Sequence, residues 1–204
     1  PLHSTKGDSG VTRKPGRPRR QPSGYKARKP RLQPVTAPPL KISVITATKN
    51  SADTLAECLA SVKKQSYVPH EHIVIDGAST DGTLGEFEKR RDQLDLVVSE
   101  PDEGIYHALN KGLARASGDI IGFLNSDDLY ADAHVLSCVA AAFADPEVEA
   151  VYGDLLYVKR WNPNQVIRYW HSRPFTGALL HQGWMPPHPT LYLRREVFDR
   201  IGPF

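Results

Sequence analysis

Asn125, Ser126, Asp127 and Asp128 stand together at the end of the apolar run Ile120-Ile121-Gly122-Phe123-Leu124. The run reads as a buried strand, and a buried strand wants no carboxylates at its tip. Two adjacent aspartates repel each other and must be hydrated, hydrogen-bonded or neutralised by a cation. Mg²⁺ or Mn²⁺ bridging diphosphate oxygens would meet that need, because hard cations take oxygen ligands. Three more acids follow or interrupt apolar segments: Asp76 after His72-Ile73-Val74-Ile75, Glu100 after residues 94–98, and Asp154 in the segment 149–158. Any one of them could cap a helix or form a turn, which is the preferred reading of Asp81 and Asp132. Four in order along successive strands point to one chemical edge.

The elements that must position these acids can be read from periodicity. Strands are expected over residues 42–46, 72–75, 94–98, 119–124 and 149–158. Between them, Leu55, Cys58, Leu59 and Val62 recur at helical spacing, as do Ile105, Ala108, Leu109, Gly112 and Leu113. Asp81-Gly82 opens a short charged helix, and residues 131–144 form an alanine-rich one. This alternation predicts an α/β fold, a mostly parallel sheet with helices on both faces and right-handed crossovers. In such a sheet the ligand crevice lies outside the carboxyl ends of the strands, where the acids fall. After residue 160 the pattern loosens into strands near 166–170 and 190–193, around a loop rich in His, Gly, Pro and Trp. There is no Gly-x-x-x-x-Gly-Lys-Ser/Thr and no Gly-x-Gly-x-x-Gly after the first strand, which argues against a P-loop and a dinucleotide fold.

Charge divides the chain. The formal net charge of +3 combines a segment of net +9 over residues 1–40, with ten Lys/Arg, eight prolines and one acid, with a remainder of net −6. Residues 1–39 are read as a disordered basic tail that cannot bury enough surface to offset its ordering entropy. Its run Arg13-Lys14-Pro15-Gly16-Arg17-Pro18-Arg19-Arg20 looks like a minor-groove-binding hook, but a solvated basic linker touching nucleic acid or anionic lipid nonspecifically is the favoured reading. Cys58 and Cys138 lack metal-ligand spacing and are expected to be buried thiols. With no run of transmembrane length and no signal-peptide core, the expected location is cytoplasmic, with peripheral contact at the inner face of the membrane through the tail.

Residues 40–204 resemble the family-2 glycosyltransferases, with their A-type (GT-A) nucleotide-sugar-binding fold. Four stretches carry the resemblance: Ile42 to Asn50, Ile75 to Thr83, Ser99 to Gly112, and Gly118 to Asp128. It implies a metal-assisted, inverting transfer of a sugar from a nucleoside-diphosphate sugar, a UDP-sugar foremost, to a hydroxyl of a glycan or lipid-linked acceptor, in polysaccharide or cell-surface glycan synthesis. It also implies roles. Thr46 and Thr48 would border the base and ribose, Asp76 would bond the base, and Lys111 would lie near the phosphates. Glu100 and Asp102 would border the sugar. Asn125-Ser126-Asp127 sits where the family has Asp-x-Asp, so Asp127 would bind the metal with Asp128 beside it. Asn125 could still bond a ribose hydroxyl, but it removes one negative charge from the site.

The family's usual base lies beyond a segment like His188-Pro189-Thr190 and Arg194 to Phe198, after which this sequence ends; a C-terminal part is therefore expected to be missing. Asp154 stands in as the catalytic base, with a turn residue as the equal alternative. His181, Trp184 and His188 mark an acceptor side, where Trp184 could stack on a sugar or fill a core gap. Missing helices would leave apolar surface uncovered, so a partner or an oligomer is expected. Two other readings stay open: a nucleotide-sugar-binding fragment without transfer activity, and a nucleic-acid-binding protein acting through its tail.

Overall fold

The structure, a computed structural model, describes residues 38–204. The hook-like run and nearly all of the basic tail lie outside the described residues. Four strands, β1 (Ile42–Thr48), β2 (His70–Asp76), β3 (Leu96–Ser99) and β4 (Ile120–Phe123), pair in parallel in the spatial order β3-β2-β1-β4. All seven residues of β1 are buried, which explains its β-branched run: a central parallel strand is covered on both faces. Helices α1 (Leu55–Lys63), α2 (Thr83–Lys89), α3 (Ile105–Arg115), α4 (Val135–Ala142) and α6 (Arg195–Ile201) cover those faces, and the short α5 (Gly177–His181) lies in the loop region. Ile42, Val44, Ile120 and Leu124 pack with Cys58 and Val62 of α1 and Leu136 and Val139 of α4. Ile45, Ile75 and Ile121 pack on the other face with Ala108 and Leu109 of α3 and Phe198 of α6. Helices thus lie on both faces of a mostly parallel sheet, the expected architecture.

The far edge departs from the expectation. Residues 149–158 do not form one strand: β5 (Ala150–Val151) belongs to the main sheet, and β6 (Leu155–Lys159) pairs with β7 (Asn162–Trp170) in a separate ribbon. The break falls at Asp154, whose carboxylate accepts the Ser172 N–H at 2.8 Å and the Tyr169 hydroxyl, turning the chain out of the sheet. The place beside β4 is taken by β8 (Tyr192–Arg194), antiparallel to both β4 and β5. Tyr192 makes this exchange possible. Its ring lies over Gly122, its register partner on β4, and its buried hydroxyl donates to the Tyr130 hydroxyl at 2.7 Å.

A Cβ at position 122 would stand 2.5 Å from Tyr192 Cδ1 and closer still to Cε1. Gly122→Ala is therefore expected to cost about 1–3 kcal/mol, because a well-packed ring must move. A urea midpoint equal to that of the unmodified chain would count against this account of β8. Two smaller corrections follow. The helix expected over residues 131–144 begins only at Val135, behind an Asx turn in which Asp132 accepts the His134 N–H at 2.7 Å. Cys58 is buried as expected, but Cys138 is exposed. Among the described residues, no helix is long and apolar enough to cross a membrane.

Candidate active site

The carboxyl ends of β1 and β4 and the start of α3 enclose a cleft of about 430 Å³, lined among others by Thr48, Lys49, Ser51, Asp102, Asn125 and Asp127. Its rim consists of three loops tied together by their own polar side chains. Asn50 adopts a left-handed conformation (φ 52°), its N–H donates to Ser79 Oγ at 2.7 Å, and its Oδ1 accepts the Thr80 N–H at 2.9 Å. Ser51 N–H donates to Thr83 Oγ1 at 2.8 Å, and its hydroxyl meets that of Ser126 at 2.9 Å. The loop after β1 is thereby fixed to the loop after β2 and to the acidic motif. Asp81 has the turn role read for it, its Oδ1 accepting the Thr83 N–H at 2.8 Å.

The motif itself is split by burial. Asp127 is exposed in the cleft wall, whereas Asp128 is half-buried. Burial raises the pKa of Asp128 above the usual carboxylate value; the Asn125 amide, donating to its Oδ2 at 2.9 Å, opposes this, and the charge of Asp127 adds to it. Asn125 therefore steadies the neighbouring carboxylate while it lines the cleft. Beneath the motif, the Cys58 thiol donates to the Asn125 carbonyl at 3.4 Å, and burial pushes that thiol up to about 12, so it packs rather than reacts.

The other expected site residues fall into three groups. Thr48 and Asp102 line the cleft; Thr48 Oγ1 is buried with no hydrogen-bond partner, and Asp102 Oδ1 accepts the Gly104 N–H at 3.0 Å. Gly104 reaches φ 128°, a conformation few side chains tolerate, and so delivers the chain into α3 at the cleft wall. A second group is engaged in holding loops. Asp76 is fully buried and accepts the Ser79 N–H at 3.0 Å, the Ser79 hydroxyl, and the Ser99 hydroxyl at 2.6 Å. Lys111 pairs with Glu100 at 3.0 Å and donates to the Pro101 carbonyl at 2.8 Å, and this contact lowers the pKa of Glu100. Thr46 is buried, with its hydroxyl 3.0 Å from His72 Nε2.

The third group lies off the cleft wall. Asp154 holds the base of the β6–β7 ribbon through Tyr169 and Ser172 and is not among the residues lining the cleft. His181 and His188 are exposed, and Trp184 lies edge-on to Tyr152 at 6.1 Å with the Arg173 guanidinium 5.2 Å from its ring centre. The cation in the cleft wall is Lys49, not Lys111. The available signal was its place directly after β1, in a run that carries no glycine to cradle phosphate.

Comparison with known proteins covers the same part of the chain. The model for "Glycosyl transferase family 2" matches residues 43–202. A PGL/p-HBAD biosynthesis glycosyltransferase of Mycobacterium tuberculosis is 31% identical over 166 residues, covering 79% of this chain and 62% of the relative. Among solved structures, the mannosyltransferase PcManGT from Pyrobaculum calidifontis, in complex with GDP-Man and Mn²⁺, superposes with a TM-score of 0.63 at 27% identity, covering 87% of this chain and 51% of that one. TarS of S. aureus (residues 1–349, with UDP-GlcNAc) superposes with a TM-score of 0.61 at 24% identity, covering 79% of this chain and 47% of that one, a likeness of fold. The chain thus spans 62% of the mycobacterial relative and about half of each solved structure.

Proposed function

The chain belongs to glycosyl transferase family 2, and from that premise we propose that it carries the donor site of an enzyme that moves a sugar from a nucleoside-diphosphate sugar to an acceptor hydroxyl, with inversion. The observation that carries the reading is the cleft wall itself: an amide (Asn125), a cation (Lys49) and two carboxylates (Asp102 and Asp127) line one space at the carboxyl edge of the sheet, together with Thr48, whose buried hydroxyl has no partner. Polar groups of both signs in one crevice suit a ligand with a neutral base and ribose, an anionic diphosphate and a hydroxylated sugar.

The donor set fits a hard divalent cation. Asp127 offers exposed carboxylate oxygens in the cleft wall, and no Lys or Arg forms an ion pair with it among the described residues. No group of three or more His, Cys, Asp or Glu forms a cage among those residues, so Asp127 would hold Mg²⁺ or Mn²⁺ with diphosphate oxygens and water completing the shell. Such an ion, when bound, stabilises the charge on a departing diphosphate. The Mn²⁺ and GDP-Man of the Pyrobaculum neighbour support this reading. Lys49 sets a fixed positive charge beside the same phosphates, and Asp102 faces the sugar. Thr48 and Asn125 take the nucleoside side. Inversion, the acceptor and a place in cell-surface glycan synthesis belong to the same proposal.

The test is thermal stability of the chain with UDP, GDP or TDP, each with and without Mn²⁺. One nucleotide is expected to raise the melting temperature only when Mn²⁺ is present, because a ligand bound by the folded state alone stabilises by mass action. No shift with any nucleotide would sink the proposal. Thr48→Val gives a second check. It removes a buried hydroxyl that has no partner, so folding stability is expected to hold or rise, by up to about 1 kcal/mol. Nucleotide affinity is expected to fall about tenfold, the worth of one hydrogen bond to a ligand. Unchanged affinity by calorimetry would remove Thr48 from the site.

A further inference from the structure

Charge is segregated along the described chain. Residues 40–154 hold nine Lys/Arg and twenty Asp/Glu, whereas residues 155–189 hold four Lys/Arg and no acid. The acid-free stretch comprises the β6–β7 ribbon and the following loop with α5. Its four cations are Lys159, Arg160, Arg168 and Arg173. The same stretch exposes large apolar side chains: Trp161 is 76% exposed, Ile167 66%, Met185 54%, Leu180 52% and Phe175 51%. Among the described residues, β6 and β7 pair only with each other. An isolated two-stranded ribbon is marginal in water, so a surface that covers it is favourable.

We propose that this face docks on an anionic lipid bilayer, with Trp161 at the tip of the ribbon seated at headgroup level. Aromatic rings and Lys/Arg together, on a segment that carries no acid of its own, are the composition of a membrane-interface anchor; the carboxylates beside it are Asp154 at its base and Asp53 at its tip. Arg168 lies 5.5 Å from the Tyr157 ring centre and 5.6 Å from that of Trp170, which holds a cation and two amphipathic rings on one face of the ribbon. A nucleic acid would use the cations but not Ile167, Leu180 or Met185, since phosphate contacts reward charge alone. A two-fold partner copy would set these cations against themselves. Arg160 pairs with Asp53 at 3.2 Å, which ties the ribbon's tip to the segment that follows the cleft-lining Ser51. Docking would therefore bring the carboxyl edge of the sheet close to the bilayer, within reach of a lipid-linked acceptor. The docking itself stands independently of any nucleotide in the cleft.

The experiment uses the full chain with vesicles of brominated phosphatidylcholine, with and without phosphatidylglycerol. Bromine quenches only indole that enters the acyl boundary. Quenching is expected with the anionic vesicles, and Trp161→Phe is expected to remove most of it without changing the melting temperature. Lys159→Gln is expected to weaken partitioning about fivefold, the worth of one cation near an anionic leaflet. The basic residues 1–39 would also draw the chain to such vesicles, so co-sedimentation without quenching would assign docking to that segment and overturn the proposal. Quenching unchanged in Trp161→Phe, or no binding, would do the same. So would self-association, or binding of a DNA duplex, that Trp161→Phe weakens.

Discussion

Asp127→Ala is expected to abolish the Mn²⁺-dependent nucleotide stabilisation while leaving the melting temperature of the ligand-free chain unchanged. At a ligand concentration one hundred times Kd, binding stabilises the folded state by about 2.7 kcal/mol. For a domain of this size, each kcal/mol moves the melting temperature by about 2–4 °C, so the lost shift is about 5–10 °C. The unligated protein should not notice, because Asp127 is exposed in the cleft wall and, among the described residues, no hydrogen bond to its side chain holds the loop. Asp128 gives the contrast. Its Oδ2 already accepts the Asn125 amide at 2.9 Å, so Asp128→Asn is expected to lose less of the shift and to disturb the loop more. Scanning calorimetry of the two variants with and without Mn²⁺ separates the cases. A full metal-dependent shift in Asp127→Ala would move the cation to other ligands.

The sequence made the carboxyl edge legible because burial and charge conflict there: an apolar strand ending in Asn125-Ser126-Asp127-Asp128 has few physical solutions. The parallel core was legible from the short β-branched cores of β1 and of β2 (Ile73-Val74-Ile75), which a doubly covered sheet accommodates. The roles inside the loops were not. Asp76, Glu100 and Lys111 are engaged with Ser79, Ser99, Pro101 and each other, and pairings between loops leave no periodicity to read. Lys49 was hidden by the reverse effect: nothing in its own segment marks which way one charged residue in a polar run faces. The last strand was misread because the exchange of β8 for an extended β5 depends on a contact between Tyr192 and Gly122, seventy positions apart, which no local pattern announces.

Stability is expected to fall as pH drops below about 6.5, by about 1.4 kcal/mol per unit, because of His72. This ring is 1% exposed on β2, with its Nε2 against Thr46 Oγ1 and its Nδ1 buried without a partner. Burial, with His70 nearby, lowers its pKa from 6.5 to about 3. For a base with a depressed folded pKa, the unfolded chain takes up the proton first. Stability is therefore whole above the unfolded value and drains as pH falls from 6.5 toward 3. The upper part of that window belongs to His72. Glu71 enters only lower: burial opposes its ionisation, but Lys41 at 2.6 Å and the Ser43 and Ser117 donors outweigh that and bring it from 4.5 to about 2. Its contribution is present above 4.5 and is lost as pH falls through 2. Urea denaturation at about pH 7.0, 6.0 and 5.0 reads chiefly the histidine; Asp128, raised by burial, acts with the opposite sign, its protonation favouring the fold as pH falls. His72→Gln, which keeps a donor toward Thr46 and carries no charge at any pH, is expected to flatten the profile above pH 4.5 and leave the Glu71 limb below it. A variant profile parallel to the unmodified one would mean that the acid sensitivity arises elsewhere in the fold.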